Sequence, residues 1–233
     1  MKLAEFITRI ERYDFSSQQQ LIVEDLEQLA RNRSLLSDHL QGRFLGTLPV
    51  KASDLYNAYA FTLYESDRFM IRLVMWAPVE SQDEAETFIY GLVHSHDFEL
   101  FVTGYCGDGY ETILHPLLGD LNLKAGVRPA FGEASRLKVA PGTSYYMRPF
   151  RDVHLQLPPQ TLSGSLSLVA YRPDNHDDHQ AWCFDDDYLP LHAGYGAAEQ
   201  ALYSEGMSIL EEWLRTGDTD SALTPPDSAS NLR

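Results

Sequence analysis

From about residue 55 to residue 171 the chain is cut into short runs rich in aromatic and β-branched residues, with turn formers at close intervals between them. That punctuation leaves no space for long helices, so it constrains the fold more than any other feature of the sequence. The runs are Tyr56 to Tyr64, Phe69 to Trp76, Phe88 to His96, Leu100 to Gly104, Tyr110 to Leu114, Arg136 to Val139, Ser144 to Met147, His154 to Leu157 and Leu166 to Tyr171. Glu65-Ser66-Asp67-Arg68 and Gly107-Asp108-Gly109 read as hairpin turns. Short strands joined by Gly and Pro turns predict a mainly β sandwich or barrel.

The flanks read differently. Residues 1–50 form an N-terminal helical flank in which Phe6, Ile7 and Ile10, then Leu21, Ile22, Leu26, Leu29 and Ala30, fall at helix-face spacing. Such a pair either packs on the barrel or serves as a lid or dimerisation element. Residues 51–175 are the barrel. An acidic loop and a helix over about Gly196 to Arg215 fill residues 176–216 and are expected to pack on it, and 217–233, with Pro225-Pro226 and Ser-rich surroundings, read as a disordered tail.

With 233 residues and 44% hydrophobic content, the chain can bury a core without disulfides. Its two cysteines, Cys106 and Cys183, are far apart and in no metal-binding spacing, which suits free thiols in a reducing compartment, a single disulfide being the alternative. Glu5 stands where a signal peptide would run apolar, and the expectation is a cytoplasmic protein. A formal charge of −16 argues against gripping nucleic acid or an anionic membrane.

Chemistry is concentrated in Gly91-Leu92-Val93-His94-Ser95-His96-Asp97-Phe98-Glu99. Histidines one residue apart on a strand point to the same face, so His94 and His96 can reach one ion without bending the backbone. His154, on a later strand, is the candidate third ligand. Glu99 is a further candidate, but only Asp97 and Phe98 separate it from His96. On a regular strand it points away, and a bulge would be needed to bring it round. The plain alternative is a pair of strand histidines that bind nothing.

This succession resembles the two motifs of the cupin superfamily: a glycine, His-x-His, a glutamate and a later glycine, then Pro-x-Gly and a final histidine. Here Gly91, His94, His96, Glu99 and Gly107 are followed by Pro141-Gly142 and His154. The chain departs from the pattern in a shorter spacer before Glu99 and a longer stretch between Gly142 and His154. The resemblance covers about residues 55 to 172. It implies a double-stranded β-helix, or jelly-roll barrel, and pairing into a homodimer through strand edges.

Within that superfamily the spacing is most similar to thiol dioxygenases of the cysteine dioxygenase type, which hold iron through three histidines. Met75-Trp76 ends a strand ahead of the motif as in those enzymes, and Tyr171 stands where they have an active-site tyrosine. Ser167 also matches. Val169, Phe61 and Leu100 occupy the positions of that family's supporting histidine, substrate-binding arginine and crosslinking cysteine, which points away from cysteine as the substrate.

The resemblance implies a mononuclear non-haem iron oxygenase that takes a small organic molecule and O2 at His94, His96 and His154. Fe(II) is the expected ion, with Mn, Ni or Zn as alternatives. Tyr171 either donates a hydrogen bond during catalysis or packs as an ordinary strand tyrosine. Gln156 shares a strand face with His154 and Arg148 lies in the preceding loop, so both are candidate substrate-binding residues; Arg148 and Arg151 are otherwise a solvated pair. The alternatives are a metal-dependent cupin isomerase, lyase or decarboxylase, and a non-catalytic small-ligand-binding barrel. His115, the His176/His179 pair and Asp185-Asp186-Asp187 read as strand-end or loop residues.

Overall fold

The computed structural model describes residues 1–47, 59–81, 85, 88–171 and 179–193, all within one compact unit, Met1–Gly196. The expected C-terminal helix, the tail and His176 lie outside the described residues.

Among the described residues, twelve strands form two antiparallel sheets. The first, sheet A, contains β1 (Ala60–Glu65), β2 (Phe69–Trp76), β10 (Ser163–Ala170), β4 (Glu99–Cys106) and β8 (Ser144–Met147), in that spatial order. The second, sheet B, runs β12 (Pro190–Ala193), β11 (Trp182–Phe184), β3 (Val93–Ser95), β9 (Asp152–Leu157), β5 (Tyr110–Leu118). On the far side of β5 lie β7 (Ser135–Val139) and the short β6 (Ala130–Phe131). Setting aside β1, β6, β11 and β12, consecutive strands cross between the sheets except β5 and β7, which pair within one sheet, so that β2-β10-β4-β8 faces β3-β9-β5-β7. That interleaving is the jelly roll, in which most sheet neighbours are distant in sequence.

The alternation along each strand sorts side chains to two faces. On sheet A, Phe69, Ile71, Leu73, Phe101, Leu166 and Leu168 face outward and meet three helices: α1 (Leu3–Ile10), α2 (Gln19–Ala30) and α3 (Leu35–Phe44). Phe6, Ile10, Ile22, Leu26 and Leu29 bury their side chains there. This layer explains why β10 is buried at every position, with no polar–apolar alternation to read. Polar contacts secure the helices as well. Arg9 Nη1 and the Tyr13 hydroxyl both donate to the buried Asp25 at 2.8 Å, and the Ser144 hydroxyl donates to Glu27 Oε1 at 2.7 Å.

The other faces of the sheets enclose the barrel interior, where Trp76, Leu100, Val102, Tyr110, Leu114, Tyr145 and Val169 pack together. Here the Trp76 indole donates to Ser165 Oγ at 2.9 Å, and the Tyr110 and Tyr145 hydroxyls meet at 2.9 Å. Burial raises both phenols, Tyr145 to about 12, so both remain neutral donors at physiological pH.

One glycine is needed for closure. A Cβ on Gly104 would overlap the backbone carbonyl of Ala140, so only glycine lets β4 approach the Pro141 turn, to which it is bridged.

Several expectations shift. The run from Phe88 to His96 is strand only over Val93–Ser95, because a turn at 88–91 with positive φ at Ile89 and Gly91 precedes it. β11 and β12 lie within the stretch read as an acidic loop: Cys183 and Phe184 bury their side chains as β11 extends sheet B beside β3. Cys106 and Cys183 are not joined in a disulfide. Among the described residues no helix is long and apolar enough to cross a membrane.

Candidate metal centre

The sheet register brings the histidines together. His94, on β3, is the direct ladder partner of His154 on β9, and His96 follows the end of β3. Ligand atoms of His94, His96 and His154 all lie within 4.8 Å of one another. His154 Nε2 stands 3.1 Å from His96 Nε2 and 3.3 Å from His94 Nε2.

The opposite ring nitrogens decide the tautomers. His94 Nδ1 lies 3.0 Å from the Leu92 carbonyl, which can only accept, so Nδ1 carries the proton. The Thr112 hydroxyl donates to the Leu155 carbonyl at 3.0 Å and so is left to accept from His154 Nδ1 at 3.3 Å. In both rings Nε2 therefore presents a lone pair. His96 is held by stacking on Phe98, with ring centroids 4.5 Å apart.

Burial keeps these rings neutral. It pushes His154 well below the ordinary imidazole range, with a further contribution from His94, and it does the same to His96, with further contributions from His94, His154 and Arg72. His94 is also lowered by burial, against an opposing hydrogen bond to Leu92. Converging lone pairs on neutral rings repel, and a cation between them reverses the sign of the interaction.

Two of the three donor spacings, those to His154, fit such an ion. Metal–nitrogen bonds of about 2.0–2.1 Å at a tetrahedral angle separate neighbouring nitrogens by about 3.3–3.4 Å, and a right angle shortens this to about 2.9 Å. The observed 3.1 and 3.3 Å fall in that interval. Three nitrogen donors from one side leave further coordination positions open, as a catalytic ion needs and a closed structural site lacks.

The other sequence candidates divide. Gln156 faces the interior beside the triad, its Nε2 3.3 Å from His154 Nε2 and its buried Oε1 without a hydrogen-bond partner. Tyr171 packs at the edge of the interior cluster, and burial raises its phenol. Glu99 is outside the group. It begins β4 with no bulge to turn it, and its Oε2 accepts from the Tyr146 hydroxyl at 3.0 Å. Arg148 is committed to Asp152, donating from Nε at 3.1 Å and from Nη2 at 2.7 Å. Phe61 packs toward the helical layer.

Two interior residues have no place in the sequence reading. Thr112 orients His154, and its signal was slight, a hydroxyl at an apolar strand position. Arg72 was legible as a charge in phase with Met70, Val74 and Trp76, though strand phase only matters once the interior face is known.

Away from the centre, His115 lies between the rings of Phe131 and Tyr188. Asp185 Oδ1 accepts from the backbone amides of Asp187 and Leu189.

No protein-family model matches the chain, and no curated protein matches it in sequence. Similar solved structures are cupin-domain proteins and enzymes. A cupin domain from Bordetella pertussis is 11% identical over 48% of this chain and 92% of its own, with a TM-score of 0.30. KdgF from a Halomonas species is 15% identical over 50% and 82%, with a TM-score of 0.32. The DMSP lyase DddQ from Ruegeria pomeroyi is 16% identical over 52% and 49%, with a TM-score of 0.29. Strand order, rather than these overlaps, establishes the barrel, which carries a three-histidine group suited to a metal ion.

Proposed function

We propose that this protein is a mononuclear non-haem iron-dependent oxygenase that acts on a small organic molecule inside the barrel. The observation that carries the reading is the convergence of His94, His96 and His154, with the Nδ1 atoms of His94 and His154 tied back to Leu92 and Thr112. An all-nitrogen donor set suits Fe(II), and Mn, Ni or Zn can occupy the same donors. When bound, a ferrous ion supplies redox chemistry with O2 on a substrate held beside it.

The remaining work belongs to the chain's own side chains. Trp76, Val102, Met147 and Val169 give the interior apolar walls that exclude water. Gln156 offers the substrate a carbonyl acceptor at the triad. Tyr171, kept neutral, is a hydrogen-bond donor at the interior's edge. Arg148 is bound to Asp152 and braces the loop before β9.

Protein purified without air should contain close to one Fe per chain and consume O2 when a small-molecule panel includes its substrate. Clean apo protein that ignores added Fe(II) would remove the metal reading. Turnover that persists without air, with Zn or Mn bound, would place the chain among isomerases, lyases or decarboxylases instead.

A further inference from the structure

The three histidines are not held in the same way. His94 and His154 are placed by the ladder, as direct partners across β3 and β9. His96 stands beyond it, because β3 ends at Ser95. Its backbone is held instead from the loop between β8 and β9, where the Phe150 amide donates to the His96 carbonyl at 2.6 Å.

That loop is bent against its own preference. The Arg151 amide donates to the Pro149 carbonyl at 2.7 Å around Phe150, whose φ is +58°. A hydrogen bond spanning two residues around a positive φ is the rare, strained form of γ-turn, and a bulky side chain at its centre adds to the cost. Such backbone strain persists only where the surroundings hold it.

Three contacts do so here. The Phe150 ring is buried, with the His179 ring 6.0 Å away. Asp152, the first residue of the strand that carries His154, accepts from the Arg148 amide at 2.7 Å and from the Arg148 guanidinium as well. The Leu117 amide donates to the Arg151 carbonyl at 2.7 Å and ties the turn to β5.

We propose that the strained turn at Phe150 is the positioning device for His96, setting from the β8–β9 loop whether the third nitrogen joins the other two. This rests on the metal reading above. Two ligands are then fixed by the sheet and one is adjustable, so residues 148–152 govern metal affinity and the number of coordination positions left for substrate. Phe150 acts through its backbone; its ring serves to hold the turn.

The test uses the full chain titrated with Co(II), reading affinity and the visible d–d spectrum, with His96→Ala as the two-histidine reference. Phe150→Ala keeps the Cβ that disfavours the turn and loses the ring that holds it. It should weaken Co(II) binding by about 10- to 100-fold and move the spectrum toward that of His96→Ala. Phe150→Gly lacks the ring too but adopts a positive φ freely, so it should bind about fivefold more tightly than Phe150→Ala. A role in packing alone predicts the reverse order. Wild-type affinity and spectrum in Phe150→Ala, or a glycine variant no better than the alanine one, overturns the proposal alone. Should Phe150→Ala not fold, Arg148→Met, which unclamps the same turn, replaces it, and wild-type behaviour there has the same force. Wild-type protein that takes up no Co(II), or a His96→Ala spectrum identical to wild type, overturns the three-histidine reading and this proposal together.

Discussion

His94 and His154 are direct partners across the β3–β9 ladder, and their Nε2 atoms stand 3.3 Å apart with both Nδ1 protons directed elsewhere. Such a pair is poised for an ion. Adding Co(II) or Zn(II) at about 100 times Kd should stabilise the fold by about 2.7 kcal/mol, and a chelator should reverse the gain. His154→Ala should abolish it. A melting temperature that metal leaves unmoved in wild-type protein would count against the site.

Thr112 has no contact with the proposed ion, yet it decides which nitrogen of His154 faces it. Thr112→Val keeps the shape and removes the acceptor. Metal affinity should fall by about 10- to 100-fold while circular dichroism stays unchanged. Unchanged affinity in that variant would mean that packing alone orients the ring.

Glu99 makes the opposite case. Its carboxylate accepts from Tyr146 on the side of β4 away from the interior. Glu99→Gln should leave metal affinity and stoichiometry within twofold of wild type, about 0.4 kcal/mol at most. A larger loss would show that the glutamate swings into the centre when metal binds.

Asp108, in the β4–β5 hairpin, accepts from Thr161 and Ser163 and lies 3.4 Å from Lys138, and the hydroxyl hydrogen bonds hold its carboxyl down at about 2. A folded pKa below the unfolded one stabilises above the unfolded value, and the benefit is lost as pH falls through the folded one. Acid should therefore erode stability between about pH 4 and pH 2. Asp108→Asn should flatten that part of the curve in denaturant titrations. An identical slope in the variant would assign the acid loss to other carboxylates.

The sequence was most legible where strand phase and turn chemistry agree. Gly107-Asp108-Gly109 marks its hairpin plainly, and His94 and His96 share a face because any strand would make them do so. What could not be read was phase relative to a neighbour. Glu99 needs the register of β4 against β8 to show that it meets Tyr146, and Arg72 needs the helices on the far side of β2 to show which face is interior. β11 was hidden for another reason: Trp182-Cys183-Phe184 is too short a run to stand out beside acidic residues. It becomes a strand only because β3 offers an edge.

The helical layer has a consequence for how the chain reaches this state. Sheet A joins β2 to β10 across about 90 residues, and α2 must find both β4 and β10. Such distant pairings favour slow folding, with loop-closure entropy spent before much surface is covered. Until α1 and α2 dock, Phe69, Ile71, Leu73, Phe101, Leu166 and Leu168 form an uncovered apolar sheet face. A barrel expressed without its first 47 residues should therefore be recovered as aggregate rather than as a minimal domain, since the helices act as this sheet's built-in guard against self-association.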